Sequence, residues 1–188
     1  MSTPEIQIHG YAIVSDDDRI ADSNGQTPKS LRNDADWAYF QRELDRADIV
    51  ALGRLGHEAN PNAKRRRRLV LSSAARGLER CGETWWWDPA KTPWREATAT
   101  LLPDGGRVAV PGGQAVFDLF LEIGYDAFHL SRAGGVLLAG GRSLFAACDD
   151  GLSADAVLKG AGLSPDDPQI LDAAAHVTLS IWRKSGIM

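Results

Sequence analysis

The stretch RVAVPGGQAVFDLFLEIGYDAFHLSR, residues Arg107 to Arg132, joins a strand pattern to a helical one through two adjacent glycines. Val108–Val110 reads as a buried strand, and Ala127–Leu130 as a second one. Between them Val116, Phe117, Leu119, Phe120 and Ile123 recur at the spacing of an amphipathic helix. Gly112 and Gly113 stand at the first junction, and two readings fit them. Glycine is the default residue wherever the chain must turn through an unusual φ. A strand–Gly–Gly–helix junction also offers free backbone N–H groups at the positive end of a helix, a cradle suited to phosphate.

Outward from this stretch the same alternation recurs. Short runs rich in β-branched or aromatic residues predict strands at Ile6–Val14, Ile49–Leu52, Leu69–Leu71 and Val177–Trp182. Helical spacing predicts a helix over Asn33–Asp48, with Trp37, Phe40, Leu44 and Ala47 on its apolar face and an Asn or Asp cap. PWREATATLL opens on Pro93 and stops at PDGG, a second helix. Strands alternating with helices predict an α/β fold with a mostly parallel sheet. Near the end GLSADAVLKGAGL reads as a helix or turn, and HVTLSIWRK alternates as an antiparallel edge strand does. DDDRIADSNGQTPKSLRND, following the first strand, reads as a long polar loop of the length that often carries function.

Length and composition bound the rest. A chain of 188 residues, 44% hydrophobic and 24% charged, fits a single globular domain spanning 1–188. The net charge of -4 argues against a general nucleic-acid binder. Cys81 and Cys148 form neither a framework nor a CxxC pair, which fits a reducing compartment. No basic start precedes a long apolar region and no apolar run reaches a membrane span, so a cytoplasmic location without membrane contact is expected. His9, His57, His129 and His176 show no metal spacing with the cysteines, so no metal is expected.

Four stretches, taken in order, resemble the dihydrofolate reductase-like superfamily: DADWAYFQR; VALGR leading into RRRRLVLSS; VAVPGGQAVF followed by AFHLSR; and AGGVLLAGGRSLF. The resemblance covers roughly Ile8 to Phe145. It implies a three-layer α/β domain with a mostly parallel central sheet of about eight strands, flanking helices and a C-terminal antiparallel hairpin matching HVTLSIWRK. It also implies NADPH bound across the strand ends.

By the same resemblance Asp36 faces a pterin and holds its amino group and ring nitrogen. A carboxylate can pair with a 2-aminopyrimidine edge through two charge-assisted hydrogen bonds. The alternative is that Asp34 and Asp36 only cap the helix. Phe40, one turn on, packs against the ring, and Tyr11 and Ala12 of the first strand complete the substrate side. Ser131 aligns with a hydroxyl residue that bonds the acid and a water; alternatively it bonds the neighbouring backbone. Gly53 and Arg54 end a strand where the family receives the dinucleotide, the arginine at its 2′-phosphate. Ser72, Ser73 and Arg76 supply further phosphate contacts, while Gly112, Gly113, Gln114, Ala115 and Val116 cradle the pyrophosphate.

Three departures stand against the family pattern. Gly56 occupies a position that is commonly threonine, Pro111 one that is usually aliphatic, and the long loop lacks the family's tryptophan. There is no GxGxxG after the first strand, against a Rossmann reading. In the run Lys64–Arg68, Arg66 matches an arginine that binds the carboxylate tail of folate, although a solvated loop explains the run equally well. Trp85–Trp87, if extended, point to alternate faces, so at least one belongs to the core.

The expected activity is hydride transfer from NADPH to a pterin-like heterocycle. The alternatives are a riboflavin-pathway reductase of a ribosylaminopyrimidine phosphate and a non-catalytic nucleotide- or pterin-binding protein on the same fold. The tryptophans and an edge strand are compatible with a homodimer.

Overall fold

A computed structural model describes residues 4–185. In chain order the strands and helices are β1 (Ile6–Val14), β2 (Arg19–Ala21), α1 (Asp34–Asp45), β3 (Ile49–Gly53), α2 (Arg54–Ala59), β4 (Arg68–Leu71), β5 (Leu78–Cys81), β6 (Thr84–Trp87), α3 (Trp94–Leu101), β7 (Gly106–Gly112), α4 (Gln114–Ile123), β8 (Ala127–Ala133), β9 (Arg142–Ser143), α5 (Ala154–Gly160), β10 (Leu163–Pro165), β11 (Gln169–Asp172) and β12 (Val177–Lys184).

The central sheet runs β10-β12-β8-β1-β7-β3-β4-β6-β5, with β11 also paired to β12. The stretch from β8 through β6 is parallel. Antiparallel pairs close both ends, β12 on β8 and β5 on β6. The protein therefore has a mixed α/β architecture of three layers. One face carries α1 over Tyr11, Val50, Leu52, Val70 and Ala109. The other carries α3, α4 and α5 over a larger core that includes Ile49, Ala51, Leu69 and Trp87. β3 alternates Ile49 and Ala51 to one face with Val50 and Leu52 to the other, and both faces are covered. That is why IVAL reads as an uninterrupted apolar run.

The six expected strands and the main helices stand where the sequence places them, and the sheet exceeds the expected eight strands by two. Trp85 and Trp87 lie on the face opposite Trp86. Trp87 is fully buried and donates through Nε1 to the Thr92 carbonyl at 2.7 Å. Three expectations need correction. β12 is not an edge strand: β8 flanks it on one side and β10 and β11 on the other. Trp37, assigned to the apolar face of the first helix, is 58% exposed, because α1 turns Phe40 and Leu44 inward and leaves Trp37 at its rim. The segment after β1 is more than loop. β2 pairs with β9, Leu31 is buried, and the buried Asp18 carboxylate accepts from the Ala154 amide at the start of α5.

Candidate functional site

Parallel strands direct the carboxyl ends of β3, β4, β6 and β7 to one side of the sheet, where the chain leaves each strand through a loop. A groove of about 410 Å³ opens there. Gly53, Ser72, Ser73, Ala115 and Val116 line it together with Leu71, Asp88, Pro89 and Leu119. Five of the ten residues expected to hold a cofactor thus share one concavity.

The glycine pair has two different causes. At Gly112 φ is 113°, and a Cβ would lie 2.7 Å from Phe117, so the position is closed to other residues by backbone and packing alike. Gly113 has φ -71° and open space where a Cβ would stand. Nothing in the fold demands glycine at 113. It caps α4 without a side-chain hydrogen bond, and its carbonyl already accepts from the Val116 and Phe117 amides. The amides of Gln114 and Ala115, by contrast, meet no acceptor among the described residues, so two donors point outward at the positive end of a ten-residue helix. The Gly112–Gly113 peptide bond is cis. Leu52 pairs with Gly112, which brings the end of β3, and hence Gly53, alongside this junction.

Arg54 begins α2 exposed and pairs along its own helix with Glu58 at 2.8 Å. Arg76 is exposed nearby, its amide donating to Glu79. Gln114 reaches away from the helix end to the Ser143 carbonyl and the Asp149 carboxylate.

The substrate-side candidates gather where α1 crosses β8 and β1. Asn33, not Asp34 or Asp36, caps α1: its Oδ1 accepts from the amides of Ala35 and Asp36, each at 3.0 Å. Its Nδ2 donates to Asp172 on β11 at 2.8 Å, tying the helix to the C-terminal hairpin. Asp36 is therefore left without a capping duty. It is half-buried, and desolvation raises its proton affinity above that of an ordinary carboxyl, opposed only by the neighbouring Ser131 hydroxyl. Ser131 is itself buried on β8. Phe40 lies one turn beyond, its ring 6.1 Å from that of Tyr11.

Tyr11 turns inward. Its ring stacks on His129 at 4.5 Å and its hydroxyl donates to Glu43 at 3.3 Å. Ala12 is half-buried on the opposite face of β1, against the main core. Arg66 is held by α1, since its guanidinium bonds Asp45 and the Gln41 side chain and carbonyl.

Beneath α1 runs a polar chain that sequence reasoning missed. Tyr39 Oη lies 2.5 Å from His129 Nδ1, and His129 Nε2 lies 3.3 Å from His9 Nδ1. Burial drives both imidazoles toward the neutral form, His9 to about 4 and His129 to about 3. With both neutral, Tyr39 donates to His129, which donates in turn to His9. Its signal was available: His129 and Ser131 are two apart on a strand, hence on one face, the face α1 covers. Asp88 was also missed. It directly follows β6 as a buried carboxylate, bonded to Lys91 at 3.0 Å and accepting from the Ala90 amide at 3.0 Å.

No known family profile matches the sequence, and no curated protein matches it either. Solved structures do. Dihydrofolate reductase from Enterococcus faecalis, complexed with NADP(H) and RAB-propyl, superposes with a TM-score of 0.66 at 14% identity, covering 96% of this chain and 97% of that one. The fold is dihydrofolate reductase-like. A protein assigned to riboflavin biosynthesis in Shewanella sp. PV-4 superposes with a TM-score of 0.67 at 18% identity, covering 96% and 100%. A diaminohydroxyphosphoribosylaminopyrimidine deaminase/5-amino-6-(5-phosphoribosylamino)uracil reductase from Thermotoga maritima superposes with a TM-score of 0.67 at 16% identity, covering 96% of this chain and 57% of that one. Within the dihydrofolate reductase-like fold of the present chain, the groove and the Asp36–Ser131 pair both lie toward the carboxyl ends of the parallel strands. Among the described residues no helix is long and apolar enough to cross a membrane, and no cluster of three or more ligating side chains could hold a metal.

Proposed function

We propose that this protein is an NADPH-dependent reductase of a pterin-like heterocycle, with the groove as the dinucleotide site and Asp36 as the substrate carboxyl. One observation carries the reading: Asn33 performs the capping, so Asp36 stands half-buried at the start of α1 with no structural task and with Ser131 beside it. A carboxyl so placed can hold the amino group and ring nitrogen of a 2-aminopyrimidine edge. As an anion beside the ring, the carboxylate raises the proton affinity of the substrate, which must gain a proton as hydride arrives. Ser131 fixes the carboxyl's orientation.

The residues of the groove fit the phosphate-bearing half of a dinucleotide. Gly113 leaves the space a Cβ would take, the Gln114 and Ala115 amides supply donors, and Ser72 and Ser73 add hydroxyls. Arg54, which follows the lining residue Gly53, and Arg76 do not line the groove themselves; as exposed cations beside it they would meet a 2′-phosphate and so distinguish NADPH from NADH. Bound there, NADPH supplies a hydride; the matching proton comes from solvent. The protein's own contribution is to set the two rings in contact and exclude water between them.

A ribosylaminopyrimidine phosphate is the second reading, favoured by the fold likeness to riboflavin-pathway proteins. Both substrates present an aminopyrimidine to the same carboxyl. The deciding experiment follows NADPH oxidation at 340 nm with dihydrofolate, dihydropterins and 5-amino-6-(5-phosphoribosylamino)uracil. Turnover of any one that falls at least 100-fold in Asp36→Asn, with NADPH affinity unchanged, supports the reading. Absence of both NADPH binding and turnover overturns it.

A further inference from the structure

A second concavity, of about 290 Å³, opens at the other end of β4 and β6 and is lined by Arg65, Arg66, Arg67, Arg80, Glu83 and Trp85. The groove begins where those strands end; this one precedes Arg68 and Thr84, where they begin. Four residues of parallel strand, about 13 Å, separate the two.

The basic run does not act as one solvated patch. Lys64 and Arg66 pair with Asp45 on α1, and Arg68 bonds His57 and the Asn60 carbonyl. Arg65, Arg67 and Arg80 have no carboxylate partner among the described residues, and they surround the same hollow. The loop presenting them is braced. The Asn62 side chain accepts from the Arg66 amide at 3.0 Å and donates to the Arg66 carbonyl at 2.7 Å, while the Arg65 amide donates to the Asn62 carbonyl at 2.9 Å. Arg65 sits at φ 50°, a region a side-chain-bearing residue visits seldom and keeps only when its surroundings hold it there.

Trp85 supplies the apolar wall. It is opposite Leu69 on β4 and Arg80 on β5. Arg67 lies two residues before Leu69, so Arg67 and Arg80 flank Trp85 on one face of the sheet. Three cations gather around a half-buried indole; Arg80 donates through Nε to the Gly82 carbonyl at 3.0 Å, and Glu83 is the one carboxylate of the lining, so the hollow keeps an excess of positive charge. An anion carrying a flat ring would balance it. Guanidinium forks match phosphate bidentately, and the indole offers its face to the ring. Glu83 on the rim accepts from hydroxyl or amino groups and disfavours a bare polyanion. The hollow is small and open to solvent, holds one aromatic side chain and belongs to a chain of net charge -4, which favours a small ligand over a polymer.

We propose that this concavity binds a small phosphorylated aromatic compound of mononucleotide size, its phosphate on Arg65, Arg67 and Arg80 and its ring against Trp85. The site is independent of the cofactor groove. The test titrates the full-length protein with AMP, inorganic phosphate and a single-stranded oligothymidylate by calorimetry. The same titrations are run on Arg67→Ala/Arg80→Ala, Trp85→Leu and Gly113→Ala. The site requires saturable AMP binding, weakened at least tenfold by the double arginine substitution and severalfold by Trp85→Leu, and unchanged by Gly113→Ala. Phosphate should bind at least tenfold more weakly than AMP. The arginines are exposed, so the double variant retains the wild-type circular dichroism spectrum and its result stands even if Trp85→Leu misfolds. No AMP binding, AMP binding indifferent to the arginines, phosphate as tight as AMP, or the oligonucleotide tighter than AMP each overturns the proposal.

Discussion

The Tyr39 hydroxyl on α1 reaches Nδ1 of His129 on β8 at 2.5 Å, and the far nitrogen of that imidazole reaches His9 on β1. A helix is thereby fastened to two neighbouring strands by neutral rings. Because both histidines titrate well below their ordinary 6.5 in the folded state, the unfolded chain binds more protons between pH 6.5 and about 4. Stability is then fully present above pH 6.5 and declines as the pH falls through that window, by about 3 kcal/mol for each histidine. Urea unfolding at pH 7.5, 6.0 and 4.5 measures the decline. His9→Gln/His129→Gln should flatten it, and an equally steep wild-type and variant curve contradicts the assignment. Asp36, whose proton affinity is raised, works with the opposite sign near its own titration and cannot produce the loss.

Asp36 separates activity from stability. It is a carboxylate drawn partly out of water with only a neutral hydroxyl to compensate. Asp36→Asn should therefore unfold at higher denaturant, by about 1 kcal/mol, even as turnover disappears. A less stable variant would mean that the carboxylate serves the fold.

The two glycines should respond oppositely. Gly112→Ala meets Phe117 at 2.7 Å and a φ of 113°, and is expected to cost about 3 kcal/mol or more. Gly113→Ala meets nothing, so its unfolding midpoint should stay within about 0.5 kcal/mol of wild type. NADPH affinity should nonetheless fall at least tenfold in Gly113→Ala. Unchanged affinity would remove that junction from the cofactor site.

Asn33→Ala should cost about 1–2 kcal/mol through loss of the α1 cap. It also cuts the tie to Asp172, so α1 loosens at the end carrying Asp36. Amide exchange should quicken in the first turn of α1 and in β11, with little change in β3 or β7. Uniform protection would show that the cap is redundant.

The interior of the sheet was legible because periodicity there records burial. IVAL and VAV are apolar throughout since layers cover both faces, and HVTLSIW alternates since β12 is buried on one side of its pleat. Pairings made by short or polar segments were not legible. β11 exposes Gln169 and Ile170, and β2 meets β9 across more than a hundred residues; neither leaves a local pattern. The same gap explains the misreading of β12 as an edge, because its outer partners, β10 and β11, are short and mostly exposed. At the site, Gly53, Ser72, Ser73, Ala115 and Val116 were found through strand-end motifs. Asp88 was not, although WWWDP ends a strand with the kind of turn that places a side chain on that rim. The partner of each arginine in the basic run depended on Asp45 and Asn62, which only the folded chain brings near.

β12 is made after every other strand of the central sheet, yet it lies directly beside β8, the strand that bears Ser131 and His129. Until the ribosome has released the chain past Lys184, β8 keeps one row of backbone donors and acceptors open, and the floor under Asp36 is unfinished. Nascent chains stalled shortly before that point would hold the groove but lack a settled bed beneath Asp36. Assembly of the two halves of the cleft is thus ordered in time by the sequence itself.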